Sequence, residues 1–188
     1  MLASAAAATM GFTAVPVYEI YKAGAAPHWL AGLDLLGILG LKVAVIPHYD
    51  NAEGGSYDTR YCYLGERRLS LLERELPADA AVLGVDEHTA AVFDLRAGTV
   101  EISGRGGVTL RRAGAGIVLT PGTVLALAQL RELVRGERAA GGALARGTAA
   151  SPSAPSSPAL SAPAPPSPAP SAARAASSSR SASPAWTL

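Results

Sequence analysis

Cysteine is almost absent from this chain of 188 residues, which contains only Cys62. One cysteine excludes an internal disulfide and a cysteine-based zinc site, and we expect a buried, inert thiol. The three histidines, His28, His48 and His88, are not spaced as a metal-binding pair on one helix face. We therefore expect no metal and no cofactor, and a reducing, cytoplasmic setting.

Long apolar runs and a basic surplus are also missing. No stretch approaches the ~18 uninterrupted apolar residues of a membrane-spanning helix. Residues 1–137 contain all 15 acidic side chains of the chain and carry a net charge of −3. This charge balance gives no basic surface for a polyanion, so we expect neither a membrane nor a nucleic acid as a partner.

The end of the chain is dominated by three residue types. Of the 38 residues from Ser151 to Leu188, 32 are serine, alanine or proline. Such a segment has little apolar surface to bury and cannot offset the entropy lost on ordering. The sequence therefore predicts one folded domain over residues 1–136 and a disordered tail over residues 137–188.

Hydrophobic periodicity divides the folded part into helices and strands. Helical spacing of apolar residues predicts helices at residues 4–11, 27–39, 60–76 and 123–134. Short apolar runs predict buried strands at residues 43–46 and 81–85, and an extended segment covers residues 13–21. Hairpin-length turns separate further strands, predicted as an antiparallel β-meander, at residues 89–95, 99–103, 108–112 and 116–119. The alternation of helices and strands favours an α/β layered sheet.

Three side chains of complementary chemistry follow predicted strand ends. Ser4 stands among small residues before an alanine-rich helix, as a strand-to-helix elbow requires, although a helix N-cap is the commoner role of a serine in such a segment. His48 directly follows the strand at 43–46, and Glu87 follows the strand at 81–85. The structural alternative for His48 is a loop histidine whose ring is hydrogen-bonded to a backbone carbonyl. The alternative for Glu87 is a turn whose carboxylates are solvated. Together the three would supply the nucleophile, base and orienting acid of acyl transfer.

The residues around His48 carry a family resemblance. Residues 47–60, Pro-His-Tyr-Asp-Asn-Ala-Glu-Gly-Gly-Ser-Tyr-Asp-Thr-Arg, resemble the histidine segment of the S51 serine peptidases, which include aspartyl dipeptidases and cyanophycinases. Residues 84–90 resemble the acidic segment of that family, and Ser4 with its alanine neighbours is similar to the nucleophile segment. The resemblance covers about residues 2–130.

The resemblance implies a three-layer class I glutamine amidotransferase-like (flavodoxin-like) sheet and roles for individual residues. Ser4 would be the nucleophile, His48 the base and Glu87 the orienting acid, with Asp86 as the alternative third member. The polar loop after His48 would wall the pocket, with substrate-binding residues Asn51, Glu53 and Arg60. Arg60 could meet a substrate carboxylate, and the alternative is a loop that satisfies its own polar groups. The substrate would be a small peptide or amide, and the resemblance allows a homodimer.

The position of Ser4 in the chain qualifies this interpretation. The S51 family places several strands before its serine, so we expect a sheet that is incomplete at the N-terminus and a chain truncated relative to the family. An alternative function is therefore a non-catalytic amidotransferase-like binding domain or remnant. A structural or interaction protein that works through its Pro/Ser/Ala tail is a third hypothesis.

Overall fold

A computed structural model of the chain describes residues 1–137, and the predicted tail lies outside the described residues apart from Glu137. The helices are α1 (Ser4–Ala8), α2 (Val17–Tyr21), α3 (Gly65–Glu73) and α4 (Leu127–Arg135), with one 3₁₀ turn at Gly37–Leu39. The strands are β1 (Thr13–Ala14), β2 (Leu30–Ala31), β3 (Val43–Ile46), β4 (Ala81–Val85), β5 (Thr89–Asp94), β6 (Thr99–Gly104), β7 (Val108–Arg112), β8 (Ala115–Leu119) and β9 (Val124–Ala126).

The central sheet has six strands in the order β2-β1-β3-β4-β7-β8. Strands β1, β3 and β4 run parallel to one another. The outer pairs, β1 with β2, β4 with β7 and β7 with β8, are antiparallel. The prediction of a mixed α/β fold is confirmed, and the parallel pair β3 and β4 has the predicted bounds.

The predicted continuous β-meander is wrong. Strands β5 and β6 form a hairpin that pairs with β9 in a separate three-stranded sheet, whereas β7 and β8 extend the central sheet. The chain passes from one sheet to the other after Gly104. This residue has a positive φ of 122°, and it lies so close to the backbone of His88 that a Cβ would be 2.2 Å from the His88 carbonyl oxygen. Only glycine tolerates this conformation, so the backbone can leave β6 and return to pair with β4.

Apolar side chains fill both faces of the central sheet. Val43 and Val45 of β3 pack with α4 and with residues of β6 on one face. Ile46 and Val82 face the other side, where they pack against α2 and α3. The strands β3 and β4 are therefore buried on both faces, as their continuous apolar sequences predict.

The predicted extended segment at 13–21 is wrong in its second half, which forms α2, and the helix predicted at 4–11 ends at Ala8. The other three predicted helices also differ in the structure. The segment 27–39 contains β2 and a 3₁₀ turn instead of a helix, and its Leu30 and Leu33 are 51% and 66% exposed. The predicted helix at 60–76 begins only at Gly65, and the one at 123–134 begins at Leu127, after β9. Tertiary pairing of Leu30–Ala31 with β1 outweighs the helical spacing of the leucines.

No helix among residues 1–137 combines the length and the apolar character that crossing a membrane requires. The helices α3 and α4, with nine residues each, are the longest of this part of the chain.

Candidate active site

Ser4 is the first residue of α1 and has a strained backbone. Ala3 is extended, with φ −138° and ψ 159°, and Ser4 then has a positive φ of 49°. A positive φ is uncommon for a residue with a Cβ, and such strain is concentrated at functional sites. The change from extended to left-handed backbone produces a sharp turn that leaves Ser4 exposed to solvent.

His48 lies beyond the end of β3 and also has a positive φ, of 49°. Its carbonyl oxygen accepts hydrogen bonds from the amides of Asn51 (3.2 Å) and Cys62 (3.1 Å). The backbone on either side of the imidazole is thus held by β3 and by these two amides. The side chain is 37% exposed, so that a ligand from solvent can reach it.

The imidazole of His48 joins two residues that are distant in the sequence. Its Nδ1 lies 3.2 Å from Oε1 of Glu87, and its Nε2 lies 3.1 Å from Oγ of Ser4. With the proton on Nδ1, the ring donates to the carboxylate and accepts the serine hydroxyl proton. The structure therefore brings together the three residues that the sequence nominates for catalysis, with His48 between Ser4 and Glu87.

Glu87 and Asp86 have different partners. The Glu87 carboxylate faces His48 and also accepts a hydrogen bond from Nδ2 of Asn51 at 3.4 Å. The Asp86 carboxylate instead accepts the amide of Gly107 at 2.7 Å, and burial raises the pKa of Asp86. Glu87 is thus the acid in contact with the imidazole, and Asp86 anchors the start of β7.

The predicted substrate-binding residues Asn51, Glu53 and Arg60 lie in the loop after β3. Asn51 is only 3% exposed, and its amide contacts Glu87. The Glu53 carboxylate accepts the Tyr63 hydroxyl at 2.5 Å. Arg60 donates to both carboxylate oxygens of Asp58, each at 2.9 Å. Their roles toward a substrate stay predictions, and the polar groups of this loop largely satisfy one another.

The structure has a left-handed turn between this loop and α3 that was not predicted from the sequence. Tyr61, Cys62 and Tyr63 have positive φ values of 60°, 54° and 65°, and Gly65 follows with 69°. The turn supports the histidine, because the amides of Tyr61 and Cys62 donate to the carbonyls of Tyr49 and His48. Gly65 was the available signal, since a glycine inside a predicted helix marks a position with unusual backbone.

Tyr49 and Gly84 fix the neighbouring strands next to the site. A Cβ at Gly84 would lie 2.3 Å from Cδ2 of Tyr49, so the ring rests directly on the backbone of β4. The Tyr49 ring is buried and packs against Tyr61 with 4.5 Å between the ring centroids. This contact requires a residue without a side chain at position 84 and holds the segment that carries His48.

A cavity of about 680 Å³ lies away from these residues. It is lined by residues at the C-terminal end of α3, at the start of β4 and at the end of β7, including Arg74, Ala80 and Arg112. His48 and Glu87 follow the opposite ends of β3 and β4, about 16 Å along a five-residue strand. The catalytic candidates are therefore outside this cavity, in an exposed position.

The similarity of this chain to known proteins is distant. No family model matches the chain, and no curated protein matches it. One solved structure to which the chain is similar is described as the crystal structure of a peptidase from an acI-B1 Actinobacterium. The identity is 20% and the TM-score 0.46, over 65% of this chain and 43% of that one. The chain thus spans less than half of that peptidase.

Proposed function

We propose that this chain is a serine hydrolase of the S51 peptidase type, which cleaves a peptide or amide bond through Ser4, His48 and Glu87. The observation that carries the proposal is the continuous contact from the Ser4 hydroxyl through the imidazole to the Glu87 carboxylate, at 3.1 and 3.2 Å. The resemblance of residues 47–60 and 84–90 to the S51 segments supports the family. A three-layer class I glutamine amidotransferase-like sheet belongs to the same proposal.

The three side chains have distinct tasks in the first half of the reaction. Oγ of Ser4 attacks the carbonyl carbon while Nε2 of His48 removes the hydroxyl proton. Glu87 keeps the Nδ1 proton on the far side of the ring and stabilises the imidazolium. When the tetrahedral intermediate collapses, Nε2 returns its proton to the leaving nitrogen, so that a free amine departs and an acyl-serine remains.

The second half repeats this chemistry with water. The amine vacates the position beside His48, and a water molecule gives its proton to Nε2 as its oxygen attacks the acyl carbon. Collapse returns that proton to Oγ of Ser4 and releases a carboxylic acid. The exposure of Ser4 fits a reaction in which both substrate and water approach from solvent.

We assign one oxyanion donor to the amide of Ala5. In acyl-transfer sites of this type, the N–H of the residue after the nucleophile points at the developing oxyanion. In the first turn of α1, the amides of Ala6 and Ala7 both donate to the carbonyl of Ala3. The Ala5 amide, which follows Ser4 directly in the sequence, is therefore the donor that we propose for the oxyanion.

The experiment that tests the proposal is covalent labelling of the full chain with a fluorophosphonate, which reacts with activated serines. The unsubstituted chain should be labelled, and Ser4→Ala and His48→Ala should each abolish labelling almost completely, because an unassisted hydroxyl is a poor nucleophile. Ser103→Ala removes an exposed serine of β6 and serves as the matched control, with labelling unchanged. An unlabelled chain that melts cooperatively would reject the proposal and favour a non-catalytic binding domain.

A further inference from the structure

Two consecutive residues of the loop after β3, Asp50 and Asn51, form hydrogen bonds with Glu87, the acid of the candidate triad. Asp50 Oδ1 accepts the backbone amide of Glu87 at 2.7 Å. Asn51 Nδ2 donates to the Glu87 carboxylate at 3.4 Å, on the same oxygen, Oε1, that faces Nδ1 of His48. Glu87 is therefore hydrogen-bonded at its backbone by Asp50 and at its side chain by Asn51.

The orientation of the Asn51 amide is fixed by a second contact. Its Oδ1 accepts the amide of Glu53 at 3.3 Å, so Nδ2 is the group that faces Glu87. A flipped amide would set its oxygen against the carboxylate and its NH₂ against an N–H, which loses both hydrogen bonds. Asn51 is 3% exposed, and a buried amide that lost these partners would pay the full cost of desolvation.

We propose that Asn51 and Asp50 are positioning residues that keep the Glu87 carboxylate on Nδ1 of His48. The proposal rests on the proposed function for its catalytic meaning, whereas the geometry it describes exists without it. Asn51 restricts the Glu87 side chain to the rotamer in which Oε1 meets the imidazole. Asp50 fixes the turn after β4, so that the carboxylate starts from the correct place.

One loop, the one that follows β3, thereby fixes the positions of both the His48 imidazole and the Glu87 carboxylate. His48, Asp50 and Asn51 lie within four residues, and the backbone N–H of Asn51 donates to the His48 carbonyl at 3.2 Å. A displacement of this loop moves the imidazole and the carboxylate together, which preserves their contact. This role differs from the substrate-binding role that the sequence suggests for Asn51, because its side-chain amide already contacts Glu87 and Glu53.

The first test measures the histidine and needs no activity. Long-range ¹⁵N-edited NMR of the full chain, at about pH 8 where a free imidazole is neutral, reports which ring nitrogen carries the proton. His48→Gln assigns the signal. We expect the Nδ1–H form in the unsubstituted chain. In Asn51→Asp, which keeps shape and the Glu53 contact but replaces the donor with an oxygen, we expect a mixture of both tautomers.

Further variants separate positioning from general loop support. Asp50→Asn keeps an oxygen that accepts the Glu87 amide and should retain the Nδ1–H form, whereas Asp50→Ala should not. Asp94→Ala is the matched control, because Asp94 caps the amides of Arg96 and Ala97 in a remote turn. Thermal melts identify variants that fail to fold, and in that case Asn51→Leu, which also removes the donor, replaces Asn51→Asp.

The second test uses the fluorophosphonate and separates binding from reaction. Loss of positioning should lower the maximal labelling rate of Asn51→Asp roughly tenfold, with an unchanged half-saturating probe concentration. A substrate-binding role would instead raise that concentration. Folded Asn51→Asp with the original tautomer and labelling rate would overturn the proposal. An unlabelled original chain whose tautomer still depends on Asn51 would reject the proposed function and leave the positioning role standing.

Discussion

Nδ1 of His48 lies 3.2 Å from Oε1 of Glu87, although 39 residues separate the two in sequence. The parallel pairing of β3 with β4 accounts for the contact, because Ile46 is in register with Gly84 and both strands end at the same edge of the sheet. The ends of neighbouring parallel strands are where α/β folds assemble their sites. The imidazole and its acid thus meet because of strand order.

Exchanging the carboxylates for amides should distinguish Glu87 from Asp86. Glu87→Gln removes the charge opposite Nδ1, and we expect a fall of at least tenfold in the fluorophosphonate labelling rate. Asp86→Asn keeps an oxygen that accepts the Gly107 amide, so we expect a smaller loss. The labelling time course of each full-length variant measures the order, and a severe Asp86→Asn beside a silent Glu87→Gln would contradict the assignment.

The thiol of Cys62 should be unreactive. Burial raises the pKa of Cys62 to about 11, so very little thiolate exists near neutral pH. We expect a neutral thiol reagent such as N-ethylmaleimide to modify the native chain at about pH 7.5 far more slowly than it modifies the chain in denaturant. Mass spectrometry over time measures both rates. Equal rates would show that the thiol is accessible in the folded state.

Acid should weaken the fold through Glu66. Two hydrogen bonds from the buried Arg111 guanidinium lower the pKa of Glu66 from 4.5 to about 2. A folded pKa below the unfolded one stabilises the protein above about pH 4.5, and this contribution is lost as the pH falls toward about 2. Melting temperatures of the original chain should therefore decline across this window, and Glu66→Gln should flatten the decline.

The control for that experiment is Glu101→Gln, which neutralises an exposed carboxylate of β6. It should leave the acid dependence close to that of the original chain. If Glu66→Gln and Glu101→Gln gave the same profile as the original chain, the ion pair with Arg111 would not be the source of the acid sensitivity.

Gly84→Ala should disturb the site through Tyr49. The new Cβ would meet the Tyr49 ring at 2.3 Å, so the ring and the adjoining His48 must shift. We expect about 1–3 kcal/mol of destabilisation, typical of overpacking, together with a clear loss of labelling. Gly116→Ala in β8 is the control, since its Cβ would lie 3.1 Å from the Thr109 methyl, a longer approach than the 2.3 Å at Gly84. Urea unfolding and labelling measure the two effects.

The sequence predicted the strands best where burial on both faces leaves a continuous apolar run. Val43–Ile46 and Ala81–Val85 form with the predicted bounds, and their ends carry His48 and Glu87. The three candidate catalytic residues could therefore be nominated before their distances were known. Which of the two acids contacts the imidazole could not be predicted, because Asp86 and Glu87 are adjacent in the sequence and only the geometry of the turn separates their carboxylates.

Other features depend on interactions that no local pattern contains. The leucines of residues 27–39 have helical spacing, yet Leu30 pairs with Ala14 of β1 instead. The left-handed turn at Tyr61–Tyr63 is held by the carbonyls of His48 and Tyr49, which lie more than ten residues earlier. The role of Asn51 is of the same kind, since its partner Glu87 is 36 residues away.

The most direct test of the account is the identity of the residue that a fluorophosphonate modifies. After labelling of the full chain, tryptic digestion and tandem mass spectrometry should locate the phosphonyl group on Ser4, within the peptide that ends at Lys22. Prior unfolding of the chain should prevent the modification, because His48 then no longer lies beside the hydroxyl. A phosphonyl group on Ser56 or Tyr57 in the neighbouring loop, with Ser4 unmodified, would contradict the account.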